Sequence, residues 1–111
     1  MKIEHQTLGT VDVLTPIGAL VGPDASQFSD VLLARLQSTN PRVVVAMHEV
    51  PYVDSVALEG LLQAAEDLGD RAMHLTLARV PSACREAMEL TGLASKFRWF
   101  EDVQTAVKSF I

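Results

Sequence analysis

Asp54 and Ser55 form the pair in this chain best placed to do chemistry. They follow a short loop, His48 to Val53, and lead directly into a stretch with helical hydrophobic spacing. A serine in that position has three uses. As a nucleophile it needs a general base within hydrogen-bond reach and donors for an oxyanion. The nearest histidine in sequence, His48, stands across the loop and no G-x-S-x-G elbow surrounds Ser55, so a hydrolase is the weakest reading. As a phosphoacceptor it makes better sense, because a dianion at a helix N-terminus meets free backbone N–H groups and the positive end of the helix dipole. The third use is plain capping: either Asp54 or Ser55 as N-cap is worth about 1 kcal/mol, reason enough for the pair. For an isolated Asp-Ser pair before a helix, capping is the stronger of the last two readings. Tyr52 and Val53 are adjacent and fit either an exposed docking patch or packing beneath the loop.

Other reactive side chains point to less. His5, His48 and His74 lie on different elements with no Cys or carboxylate at ligand spacing, which argues against a metal site. The single Cys84 reads as a small core residue, excludes an intrachain disulfide and suits a reducing, cytoplasmic setting. Gly18 and Gly22 flank a turn with no Lys-Ser/Thr after them, so no phosphate loop and no cofactor is implied.

The elements that position Asp54 and Ser55 come next. After Arg42, the run Val43–Ala46 (VVVA) is continuously apolar, the pattern of a strand covered on both faces at mid-sheet. After Ser55, Leu58, Leu61, Leu62, Ala65 and Leu68 form one helical stripe, with Gly69 expected as a left-handed terminator. Upstream, Met1–Leu8 and Val11–Thr15 read as a hairpin about Gly9, ended by Pro16 and Gly18. Asp24 with Gln27 has the spacing of a capping box for a helix through Ala25, Phe28, Val31, Leu32 and Leu36, which Pro41 stops.

Downstream, Met73–Ala78 has the strand period, and Pro81 opens a helix with Ala83, Cys84, Ala87, Met88 and Leu90 inward. That helix closes at Thr91-Gly92 with Leu93 folded back. Phe97–Phe100 is an expected edge strand, and Asp102 caps a last helix with Val103, Ala106, Val107 and Phe110 inward. The order β-β-α-β-α-β-α-β-α predicts an α/β domain over residues 1–111, with a mixed sheet led by an antiparallel hairpin and about four helices packed on it.

A formal net charge of -5 argues against nucleic acid or an anionic membrane as partner. No apolar run approaches the ~20 residues that span a bilayer, and the first residues lack the apolar block of a signal peptide. Nothing in the pattern decides self-association, and a homodimer is compatible with it.

Three segments resemble one family. VVVAMHEVPYVDSVALEGLL is similar to the central motif of STAS domains, in which a buried strand and short loop lead through Asp-Ser into a helix. IGALVGPDASQFSDVLLARL is similar to the family's first helix and preceding turn, and VPSACREAMELTGLASKFRWFEDVQTAV to its C-terminal part. The resemblance implies a non-enzymatic anti-sigma factor antagonist of bacteria that acts as a partner switch. Ser55 would be the phosphoacceptor for an anti-sigma factor with serine kinase activity. Asp54, Ser55, Tyr52 and Val56 would form the partner-binding surface. A constitutive binding module, stressosome-like or accessory to a transporter, is the alternative. Two departures stand out: Gly18-Ala19-Leu20-Val21 replaces a Gly-Glu-Leu-Asp turn common among antagonists, and Val56-Ala57 replaces a small residue and Gly.

Overall fold

The computed structural model describes residues 1–111. Strands β1 (Lys2–Leu8) and β2 (Val11–Ile17) form the antiparallel hairpin, followed by α1 (Gly22–Arg35), β3 (Val43–Ala46) and α2 (Ser55–Gly69). Then come β4 (Leu75–Ala78), α3 (Ser82–Leu90), a short 3-10 turn over Ala94–Lys96, β5 (Phe97–Phe100) and α4 (Val103–Lys108). The five strands lie side by side in chain order, β1-β2 antiparallel and the remainder parallel, which places β3 in the middle and β5 at an edge as the sequence predicts.

That order fixes the layers. Successive right-handed crossovers that step in one direction put their helices on one face of the sheet. Accordingly α1, α2 and α3 share a core with Leu14, Val43, Val45, Met47, Leu75 and Leu77. Only α4, entering after the last strand, is left to cover the other face, where Ala106 meets Val44, Ala46 and Ala78. All four residues of β3 are buried, which is why its sequence alternates with nothing polar.

Four local expectations need correction. Pro16 does not end β2: it pairs with Ile3 inside the strand. The N–H groups of Asp12 and Gly18 both point to the β3 side, so by the strand's twofold period Pro16 turns its missing donor that way, beyond the last β2–β3 pair at Leu14. Asp24 and Gln27 do not form a capping box, because α1 already starts at Gly22; they face the Met1 ammonium at 3.6 and 2.8 Å instead. Gly69 is an ordinary helical residue, and the left-handed position after α2 belongs to Ala72 (φ 58°), with Met73 N–H donating to Leu68 O at 2.8 Å. The same closure ends α3 with Gly92 in the left-handed place and Leu93 N–H donating to Met88 O, as predicted. Finally, α3 buries only Cys84 and Met88; Ala83 is exposed and Leu90 is 81% exposed, since they lie off the i, i+4 stripe.

Candidate functional site

Ser55 is the first residue of α2 and is exposed to solvent. None of the four surface depressions is lined by it, so its hydroxyl stands on open surface and not at the base of a cleft. The loop that presents it is tied down along its length. Gly18 N–H donates to Glu49 O (3.0 Å), Leu20 N–H to Tyr52 O (3.1 Å), and Asp54 N–H to Leu20 O (3.1 Å). The buried Cys84 thiol donates to Val50 O at 3.4 Å from the opposite side, and burial pushes its pKa up. Cys84 is thus a core residue that also anchors the loop.

Asp54 is the N-cap of α2, and of more besides. Its Oδ1 accepts from Ala57 N–H at 3.0 Å, the expected capping bond. Its Oδ2 accepts from Gly22 N–H at 2.8 Å, an orphan donor at the start of α1, whose own N-cap, Val21, has no side-chain acceptor. One carboxylate therefore closes two helix N-termini. The Gly22 and Ala57 bonds, in that order, hold its pKa below the ordinary aspartate value. At the other end of the helix pair, Arg71 donates to Leu36 O, Ser38 O and Thr39 O at 2.8, 2.7 and 2.9 Å, which ties the residues after α1 to those after α2.

The two helices are also close. A β-carbon on the buried Gly60 would lie 1.8 Å from Ser29 Oγ and 2.9 Å from Ser29 Cβ. A shallow groove of about 190 Å³ runs along this contact, with Val56 and Leu33 as its apolar residues and Asp30 and Glu59 among its polar ones. Of the residues expected to bind a partner, Asp54, Ser55 and Val56 thus sit together at the α2 start. Tyr52, 57% exposed, joins them from the loop. Val53 is half-buried and bridges to Leu20 in a single parallel β contact. Ala19 is half-buried in the segment stitched to this loop. The sequence reading missed Gly22, Arg71 and the Gly60–Ser29 contact. Only Gly60 carried a signal, since a glycine inside a strong helical stripe implies a packing reason.

The double cap makes a prediction about acid. Because Asp54 is more acidic folded than unfolded, its contribution to stability is full at neutral pH and is lost as the pH falls below about 3.9 toward the lowered value. Asp54→Asn keeps an acceptor for one helix but turns an NH₂ toward the other N–H. In urea unfolding the wild-type protein should be more stable than Asp54→Asn at pH 7, and the gap should close on acidification. Asp12 and Asp102, also lowered, are common to both proteins and cancel. A gap that stays constant with pH would refute the double cap.

A mixed sheet led by a hairpin, three helices on one face and one on the other, and an Asp-Ser join at the second crossover define a particular class of small α/β domain. Residues 2–106 match the family model of the STAS domain, and the chain belongs to that family. Among solved structures, it is similar to a Thermotoga maritima protein described as an anti-sigma factor antagonist, at TM-score 0.85 and 16% identity, covering 96% of this chain and 92% of that one. The anti-sigma factor antagonist SpoIIAA in its unphosphorylated form gives TM-score 0.72 at 16% identity over 98% and 96%. A sulfate transporter family protein of Wolinella succinogenes gives 0.71 at 17% over 87% and 81%. No curated protein matches the chain by sequence.

Proposed function

We propose that this protein is an anti-sigma factor antagonist of the bacterial cytoplasm that works as a partner switch. Unphosphorylated, it docks through the surface around Tyr52, Asp54, Ser55 and Val56 on an anti-sigma factor with serine kinase activity, releasing a sigma factor for transcription. The kinase passes the γ-phosphoryl of ATP to Ser55 Oγ: the bond from the γ-phosphorus to the bridging oxygen breaks, ADP leaves, the serine proton goes to the kinase's base, and the modified surface no longer binds. The observation that carries this reading is the exposed Ser55 at the first position of α2, after a loop held by backbone bonds to Gly18 and Leu20 on one side and by the Cys84 thiol on the other. The likeness to SpoIIAA and to the Thermotoga protein supports the choice of partner.

Incubation with the anti-sigma factor kinase and Mg-ATP, followed by peptide mass spectrometry, should find one phosphoryl group on Ser55 and none on Ser55→Ala. Phosphate on another residue of the wild-type protein would overturn the assignment. The transporter relative favours a second reading, a constitutive docking module. It predicts equal partner affinity for Ser55→Ala and Ser55→Asp, with losses only from changes at Tyr52 or Val56.

A further inference from the structure

The end of the molecule away from Ser55 carries a different feature. Beneath the N-terminal ends of β3, β4 and β5 lies a depression of about 330 Å³, within the ~300–1,000 Å³ range of small-molecule sites. Arg42, just before β3, and Arg98, the second residue of β5, both line it. Leu36, Leu68 and Phe110 give it apolar walls, and no carboxylate is among its twelve lining residues. That is unexpected in a chain with 14 Asp and Glu against 9 Lys and Arg. Neither guanidinium is ion-paired: the ion pairs of the molecule join Met1 to Asp24, His5 to Asp12 and Arg85 to Glu89. Arg42 spends one N–H on Thr10 Oγ1 at 2.9 Å, and Arg98 lies over the Phe100 ring at 5.3 Å. The remaining N–H groups of both are uncommitted within the protein. His74 also lines the depression but borders a neighbouring one that holds Glu66, Asp70 and Lys96, so the two arginines define the charge.

We propose that this depression is a binding site for a small organic anion, its phosphate or carboxylate head held by Arg42 and Arg98 and its apolar body against Leu36, Leu68 and Phe110. Arg98 is exposed and Arg42 half-buried, so both unpaired guanidiniums are open to an incoming anion, and a planar fork matches either head group. The apolar walls add selectivity against inorganic ions, which leave that surface wet. The site is independent of Ser55 phosphorylation and lies at the opposite strand ends.

The test is a two-dimensional NMR titration of the full chain with phenyl phosphate, hexanoate, inorganic phosphate and neutral benzyl alcohol. Phenyl phosphate or hexanoate should produce saturable shifts at Val43, His74, Arg98 and Phe110, and whichever binds more tightly identifies the head group. Inorganic phosphate and benzyl alcohol should each bind at least about tenfold more weakly, equivalent to roughly 1.4 kcal/mol. Arg42→Gln/Arg98→Gln should lower affinity by about tenfold or more, and Arg98→Gln alone, which leaves the Thr10 bond intact, by at least about threefold. Shifts that do not saturate by about 20 mM, that spread over unrelated cations, or that survive Arg98→Gln would overturn the proposal, as would inorganic phosphate binding as well as both organic anions.

Discussion

Gly60→Val should lower the stability of this protein by about 3 kcal/mol, at the upper end of what overpacking a core contact costs. The added β-carbon would meet Ser29 Oγ at 1.8 Å and Ser29 Cβ at 2.9 Å. Rotating the Ser29 hydroxyl relieves the first clash and not the second, so α1 and α2 would have to part. They are poorly able to, because Asp54 joins their first turns and Arg71 ties the residues that follow them. Gly60→Ala is a weaker probe, since alanine regains about 1 kcal/mol of helix propensity and masks the strain. Ser29→Gly removes both clashing atoms and leaves Ser29 Cα at 3.9 Å. Urea unfolding of the two single variants and the double should therefore give a favourable coupling of about 1 kcal/mol or more. A Gly60→Val protein within about 0.5 kcal/mol of wild type, or additive singles, would mean the helix contact is soft.

How far the site could be read in advance depends on how local its causes are. The position of Ser55 was legible because strand, loop and helix signals are contiguous: VVVA is buried on both faces, and the stripe begins immediately after the Asp-Ser pair. The closure of α3 was legible for the same reason, with Gly92 and Leu93 adjacent in sequence. Asp24 and Gln27 misled because the spacing is right and the geometry is not. With Pro23 in its first turn and an acceptor reaching Gly22 from Asp54, 32 residues away, α1 begins earlier than any local pattern indicates. Ala72 misled in the opposite direction: the left-handed position that favours glycine is held by an alanine, three residues past the glycine that looked suited to it. Leu90 carried the right residue type on the wrong face, and short helices give periodicity little room to discriminate.

Phosphorylation of Ser55, or Ser55→Asp as a partial mimic, should weaken binding to the anti-sigma factor by about 100-fold while leaving unfolding in urea nearly unchanged. The phosphate brings about -1.5 to -2 charges. On the two helices that meet here, little is available to neutralise them. The Gly22 and Ala57 donors nearest the α2 start are already occupied by the Asp54 carboxylate. Helix α2 has no Lys or Arg, and Glu59, one turn along from Ser55, is acidic and exposed. The cation of α1, Arg35, lies in its last turn, at the far end of that helix. The charge therefore remains on display, and a partner that must desolvate this surface meets it undiminished, a penalty of several kcal/mol. Because the loop is pinned by Gly18, Leu20 and Cys84, no rearrangement is needed to deliver the signal. Calorimetric titration of the partner with Ser55→Ala, Ser55→Asp and the phosphoprotein measures the affinities. Raising the salt should narrow the differences, since exposed charges are screened beyond roughly 10 Å at 0.1 M. Equal affinities for the three proteins would dismiss the switch, and a loss matched by an equal drop in stability would make it conformational instead of electrostatic.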